Sequence, residues 1–332
     1  MSRPLPAPPA SLVQQGQASH GRYAGLMDRF DWADLPVRHG KGRVWQWLHH
    51  KRWQYVGLAT EQVFIGLAIV DVGWCHTAFA YVFDRQTRRL LADWSADGLP
   101  KLNGAVRDEP VLKAHATFRA WGSRLAIRQV GDVLQVQAHA GGIDLEASLS
   151  LQQAPPFLLA VGPIEGGVSH ATQKSPGLPV KGHVSVAGQR FDLDGAMGCL
   201  DSSNGLLARD TAWRWACAHG RDVGFNLQDG YFGNHENVLW LDRELIPLGA
   251  TRFDFDASQP LKPWRVWTDD GLLDLSFQPE GARQQDRNLG FAASHYVQPV
   301  GTFAGTVKAS QSAPPRVVTG LVGVTEDHRS RW

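Results

Sequence analysis

The sequence predicts an all-β protein of two sandwich- or barrel-like domains with very little helix. Three observations carry that expectation. Residues 143–151 place Ile143, Leu145, Ala147, Leu149 and Leu151 in alternation with Asp144, Glu146, Ser148 and Ser150. A period of two sets one apolar face against one wet face, as in a half-buried strand. Glycine-bearing turns separate such runs: Gly131-Asp132, Gly141-Gly142, Ala187-Gly188 and Asp269-Asp270-Gly271. These are hairpin signals. No helical periodicity persists beyond about three turns, and short strands at this spacing argue against a βαβ sheet.

Taken in order, the elements begin with residues 1–20, rich in Pro, Ala, Gln and Ser, which read as an extended arm with an edge strand near Leu12. Val44 to Trp53 is ambiguous between strand and short helix. Gln62–Asp71 is a continuous apolar run, and Thr77–Asp84 carries Phe79, Tyr81 and Phe83 on one face. Strands are then expected at 125–130, 133–140 and 143–151. Gln152-Gln153-Ala154-Pro155-Pro156 breaks the pattern, so one domain is expected over 21–157 and a second over 158–332. Within the second, strands are expected at 183–186, 189–193, 211–216, 223–227, 238–241, 250–255, 264–268, 272–277, 294–307 and 317–324.

Composition narrows the functional classes. A chain of 332 residues holds one large domain or two of roughly 150–170 residues. No apolar run reaches the roughly 18–20 residues of a membrane span. The start, Met1-Ser2-Arg3-Pro4-Leu5-Pro6, is too proline-broken for a signal peptide, so a cytoplasmic protein is expected. Cys75, Cys199 and Cys217 are widely spaced and odd in number, and read as isolated reduced thiols rather than a disulfide framework or zinc pattern. The net charge of +1 without a basic block suggests no nucleic-acid partner. Thirteen tryptophans are the unusual feature. Each brings a large apolar area and one N–H that needs a partner, so so many imply a bulky interior, an aromatic-lined pocket, or both.

The runs Gly224-Phe225-Asn226-Leu227-Gln228-Asp229-Gly230, Glu236-Asn237-Val238-Leu239-Trp240-Leu241, Asp274-Leu275-Ser276-Phe277-Gln278-Pro279-Glu280 and Tyr296-Val297-Gln298-Pro299-Val300-Gly301-Thr302-Phe303 resemble the family called domain of unknown function 2804. That family has no settled activity. It is distantly similar to the two-domain lipocalin-like group of carotenoid 1,2-hydratases and polyene cyclases. Members of that group carry Asp-His-x-Trp-Gly before a Trp-rich strand. Here Asp201-Ser202-Ser203-Asn204-Gly205 precedes Trp213-Arg214-Trp215, with Ser and Asn in place of the His and Trp. The resemblance implies two lipocalin-like β-domains with an apolar pocket in or between them, and it puts hydratase activity in doubt, because an imidazole is missing where a proton might move.

Candidate chemistry starts from Asp201 as a general acid, since protonating an alkene needs a carboxyl held neutral by burial and neighbours. Trp213, Trp215 and Trp240 are candidate walls for an apolar ligand or a carbocation. The bland alternative is that Asp201 caps its own turn. His170, in the polar stretch that ends at Lys174, and Glu236, within His235-Glu236-Asn237, are candidate partners for Asp201. Lys174, His235 and Asn237 are candidate groups for a polar ligand head; loop and hinge contacts are the alternative for all of these. No metal site is expected, because adjacent His49 and His50 would point to opposite faces of a strand. Neither a Gly-x-Ser-x-Gly elbow nor a glycine-rich nucleotide loop is present, so no cofactor is expected. Asp269, Asp270, Asp274 and Glu280 read as solvated turn residues rather than a sugar-cleaving pair.

The function expected is binding of a hydrophobic small molecule, a lipid or terpenoid. The first alternative is a cofactor-independent hydratase, isomerase or cyclase acting on an unsaturated lipid or polyene through Asp201. The second is a structural or interaction protein whose tryptophans only fill the core. Oligomeric state stays open.

Overall fold

The computed structural model describes residues 4–36 and 41–332; the first three residues of the expected arm lie outside them. The one helix among the described residues is Arg43–His49, and it runs directly into the strand His50–Ala59. The ambiguous Val44–Trp53 stretch is therefore both elements in succession. Among the described residues no helix is long and apolar enough to cross a membrane.

The strands form two large antiparallel sheets. The first, of 15 strands, is a nearly closed barrel. Its path runs from Arg89–Gly98 through His76–Asp84, Val63–Asp71 and His50–Ala59 to Met197–Leu206, and then through Leu178–Val186 to the meander of residues 104–150. Leu158–Pro163, Ser169–Lys174 and Gly21–Ala24 branch from Met197–Leu206. The second sheet has nine strands, in the order 244–247, 238–241, 223–230, 210–219, 316–331, 293–307, 273–288, 264–268 and 251–254.

The chain passes from the first sheet to the second between Leu206 and Asp210. The division expected after residue 157 falls inside the first sheet, because Met197–Leu206 pairs along its length with His50–Ala59. A pairing across some 150 positions leaves no local trace, whereas the proline-broken turn does. The N-terminal arm is likewise tied down. Leu12 and Val13 are buried with Met27, Phe30, Trp32 and Leu159, and Val13–Gln14 pairs with Gln17–Ala18.

The strand Val63–Asp71 is buried on both faces, which is why it reads as an unbroken apolar run. Val56, Leu58, Ile65, Leu67, Ala80 and Val82 fill the barrel. Tyr55, Phe64, Ala68, Tyr81 and Phe83 point outward and pack on Trp215, Cys217, Val300 and Val324 of the second sheet. The strand at 143–150 has only its inner face covered, so it alternates. The second sheet keeps its own core around Phe225, Leu275, Phe277 and Phe303.

The long strand Leu273–Asn288 serves both surfaces by means of a register shift between Pro279 and Gly281. Before the shift its odd residues enter the second core. After it they face the barrel. A side chain at Gly281 would sit 2.5 Å from the Phe83 ring, so only glycine permits that approach. Two residues on, Arg283 is 1% exposed. Its Nε donates to Asp93 at 2.8 Å, and its guanidinium lies 4.2 Å from the Phe79 ring centre. Arg85 grips Glu280 through two hydrogen bonds of 3.0 and 2.8 Å.

Arg283→Ala is expected to destabilise the protein at the low end of the roughly 3–5 kcal/mol that breaking a buried ion pair costs, since Asp93 keeps 32% of its side chain exposed. Urea unfolding followed by tryptophan fluorescence measures it, and an unchanged midpoint would show that Arg283 does not hold the sheets together.

Candidate functional site

The two sheets do not close completely on each other. Between them lies a cavity of about 120 Å³, which opens into a wider mouth of about 370 Å³. Val70, Phe79, Tyr296, His328 and Trp332 line both. The first sheet contributes Trp53, Tyr55, Lys174 and Asp201 to the inner cavity, and the second contributes Trp213, Trp215, Gln228, Tyr231, Glu236 and Glu326.

At the inner end Lys174 joins two carboxylates. Its ammonium is 2.7 Å from Asp201 Oδ2 and 3.2 Å from Glu236 Oε2. Lys174 and Asp201 are cross-strand partners in adjacent strands of the first sheet. Glu236 comes from the turn before Val238–Leu241 in the second sheet, so the lysine bridges the seam. Burial works to lower the Lys174 pKa, but the two carboxylates overcome it and hold the amine charged. For Glu236 burial dominates: together with the Asp201 charge it raises the carboxyl pKa against the pull of Lys174.

Asp201 is held only as an acceptor. Besides Lys174, it takes hydrogen bonds from Thr172 Oγ1 at 3.2 Å, Ser203 Oγ at 3.0 Å and Trp53 Nε1 at 3.5 Å. A general acid needs a proton to give, and this carboxylate is surrounded by groups that give theirs to it. Glu236 has fewer donors: Lys174 and, at 3.4 Å, Asn226 Nδ2. Asn226 also donates to the Glu236 carbonyl at 3.0 Å and accepts from Trp215 Nε1 at 2.8 Å. One asparagine of the Gly224–Gly230 run thus orients an aromatic wall and a carboxyl together.

A second polar group lies on the final strand, where Glu326 and His328 share a face as i and i+2. Glu326 accepts from Trp213 Nε1 at 2.9 Å and Gln298 Nε2 at 2.8 Å. His328 Nδ1 is 3.2 Å from Glu326 Oε1, and its Nε2 reaches Ser330 Oγ at 2.9 Å and Ser294 Oγ at 3.1 Å. The Trp213 ring covers this imidazole with centroids 4.1 Å apart. The strand expected over 317–324 runs on to Arg331 and so carries both residues, which the sequence analysis does not single out. The spacing Glu326-x-His328 just beyond Val324 was the available signal.

Of the other residues singled out, Trp213 and Trp215 join Lys174, Asp201 and Glu236 on the cavity wall. His170 does not. It is fully buried beneath Trp53, with ring centroids 5.4 Å apart, and meets Phe232 edge-on at 4.6 Å. Burial, with Lys174 and His235 nearby, pushes its pKa well below the usual imidazole value. His235 lies outside the lining, with its ring at Gly162. Asn237 accepts from Gln228 N at 2.7 Å and donates to Gly249 O at 2.9 Å, and Trp240 donates to Pro156 O at 2.8 Å. These residues brace the turn that presents Glu236.

The cavity wall also carries polar atoms that no protein group satisfies. Both ends of the Gln228 amide are buried without a hydrogen-bond partner, and the Tyr55 and Tyr296 hydroxyls are buried beside Tyr81 and Arg283 respectively. Burial raises both phenol pKa values well above the ordinary one, so each offers a neutral O–H.

His170 makes stability pH-dependent. Neutral in the fold and near 6.5 when unfolded, it binds its proton more readily in the unfolded chain. Stability is therefore complete above that value and declines as pH falls through it, by up to about 1.4 kcal/mol per pH unit. His170→Phe is expected to flatten the decline between about pH 6.5 and 5. Identical pH slopes in chemical denaturation of the two proteins would refute this.

Comparison with solved structures places the fold. Kievitone hydratase from Nectria haematococca superimposes with a TM-score of 0.53 at 11% identity, over 85% of this chain and 88% of that one. A candidate AttH from Nitrosomonas europaea gives 0.55 at 13% identity, over 85% and 92%. Identities this low establish a shared lipocalin-like architecture and nothing about chemistry. No curated protein matches the sequence. The model of the family described as domain of unknown function DUF2804 matches residues 7–332, and the chain belongs to that family.

Proposed function

We propose that the protein binds an elongated, largely apolar small molecule in the cleft between its sheets, with one polar group of the ligand at the inner end. The observation that carries this reading is the aromatic lining of the cleft, closed at its inner end by Lys174, Asp201, Glu236 and the Gln228 amide, whose N and O are both buried without a partner. Leaving such groups buried and unsatisfied costs about 1–3 kcal/mol each, which a polar ligand atom offsets. Trp53, Trp213, Trp215 and Phe79 supply flat apolar contact. A lipid or terpenoid with a hydroxyl or carbonyl fits this pattern.

The raised pKa of Glu236 favours a second reading, in which the same cleft performs acid catalysis on an unsaturated ligand. Glu236, rather than Asp201, then gives its proton to an alkene carbon, and water adds at the cation shielded by the tryptophans. The incoming water returns a proton to the Glu236 carboxylate, so no cofactor is consumed. Asp201 serves here to position Lys174. That one structural neighbour is named a hydratase is in keeping with this reading.

Native mass spectrometry of the purified protein, with mass analysis of an organic extract, tests the binding reading. A lipophilic passenger near one equivalent is expected. The Trp213→Ala protein should retain the passenger, or a fluorescent polyene such as parinaric acid, about tenfold less tightly, equivalent to ~1.4 kcal/mol. If neither a passenger nor polyene binding is found in the wild type, the reading fails. With the passenger identified, Glu236→Gln should lower its turnover by roughly 10²-fold or more while binding persists. Turnover unaffected by that change would exclude Glu236 as the acid.

A further inference from the structure

Directly behind the cavity, on the far side of Tyr55 and Trp215, two of the three cysteines meet a histidine. Cys199 lies on Met197–Leu206 of the first sheet, and Cys217 and His219 lie on Asp210–His219 of the second. The widely separated sequence positions suggested isolated thiols, but the sheet packing brings Cys199 Sγ to 3.8 Å from Cys217 Sγ. Cys217 Sγ is 3.2 Å from His219 Nε2, and one ligand atom from each residue falls within 4.8 Å of the others. All three side chains are buried.

We propose that Cys199, Cys217 and His219 form a metal site for a soft, thiophilic cation of the Zn²⁺ class, and that the ion clamps the two sheets at the back of the cleft. In a tetrahedral shell with Zn–S about 2.3 Å and Zn–N about 2.0–2.1 Å, adjacent ligands stand about 3.6–3.8 Å apart; the sulfur pair already has this spacing, and His219 reaches it by a shift of a few tenths of an ångström away from Cys217. Cys217 and His219 are i and i+2 on a strand, so they project from one face, and Cys199 approaches from the opposing sheet. Two sulfurs and an imidazole suit zinc and exclude hard ions such as Mg²⁺ or Ca²⁺. A small void of about 10 Å³ bordered by all three residues is on the order of what one water requires, which provides for a fourth ligand. Binding would release the thiol protons and fix Trp215 and Tyr55, which wall both this void and the cavity.

The full-length protein, reduced and treated with a chelator that is then removed, should take up one equivalent of Co²⁺. A thiolate-to-cobalt charge-transfer band and tetrahedral d–d bands are expected, and Zn²⁺ should abolish them. Zn²⁺ should also protect Cys199 and Cys217 of the wild type from alkylation, with Cys75 alkylated as fast as before. Cys217→Ser and His219→Gln should lose the charge-transfer spectrum or bind at least tenfold more weakly, and Cys75→Ser should not. The melting temperature should rise with Zn²⁺ in the wild type alone, and the two variants, melted without metal, serve to show that they are folded. Three results would overturn the site: no sulfur-to-cobalt band in the wild type, a band that survives in Cys217→Ser with undiminished cobalt affinity, or equal alkylation with and without Zn²⁺. Mass analysis finding Cys199 and Cys217 joined in a disulfide that reforms after reduction would also overturn it and assign the pair to oxidation instead.

Discussion

Packing the outer face of one β-barrel against a second sheet is the constraint on which this molecule rests. Strands at a barrel wall usually expose one face, and here the strands between His50 and Asp84 expose neither. Their outward aromatics, Tyr55, Phe64, Tyr81 and Phe83, form a core shared with Trp215, Val300 and Val324. Burial of that area is the main attraction between the two halves. Two twisted sheets match over only part of their surfaces. Where they diverge, toward Trp53, Phe79 and Trp213, the seam opens into the cleft.

Charge is distributed along this seam with an evident division of labour. At its rim Arg85–Glu280 and Arg283–Asp93 join one half to the other. Buried ion pairs contribute little net stability relative to apolar packing, because desolvation consumes much of the Coulomb gain. Their effect is on specificity: the halves can dock in one register only. Deeper in, Lys174 stands between Asp201 and Glu236. Burial, together with the nearby Asp201 charge, raises the Glu236 carboxyl above the usual carboxylate value against the pull of the one shared cation. Asp201 drew notice in the sequence because of its position before a Trp-rich strand. Four donors, Lys174 among them, converge on it.

The seam thus carries distinct side-chain clusters on both its sides. Trp213, Trp215, Cys217 and His219 alternate along one strand and face the same way. The first two line the cleft, and the last two meet Cys199 behind it. A single row of side chains places aromatic contact and soft ligands within one rigid element.

The sequence by itself determined what depends on local spacing. The alternation of Ile143–Leu151 set a strand with one wet face, the Gly-bearing turns set the hairpins, and the runs around Asn226 and Gln298 marked the family. Asp201, Glu236, Lys174, Trp213 and Trp215 were also legible, since unusual polar and aromatic residues in such runs attract attention. The tertiary structure alone decided which of these meet. Pairing of Met197–Leu206 with His50–Ala59 carried the first sheet past the proline-broken turn at Pro155-Pro156. Docking of the two sheets placed Glu326 and His328 in the cleft, left His170, His235, Asn237 and Trp240 off its wall, and brought Cys199 to Cys217 across a gap of 18 positions. The physical reason is that periodicity records which face of a strand is covered, while the identity of what covers it is settled by contacts between residues far apart in the chain.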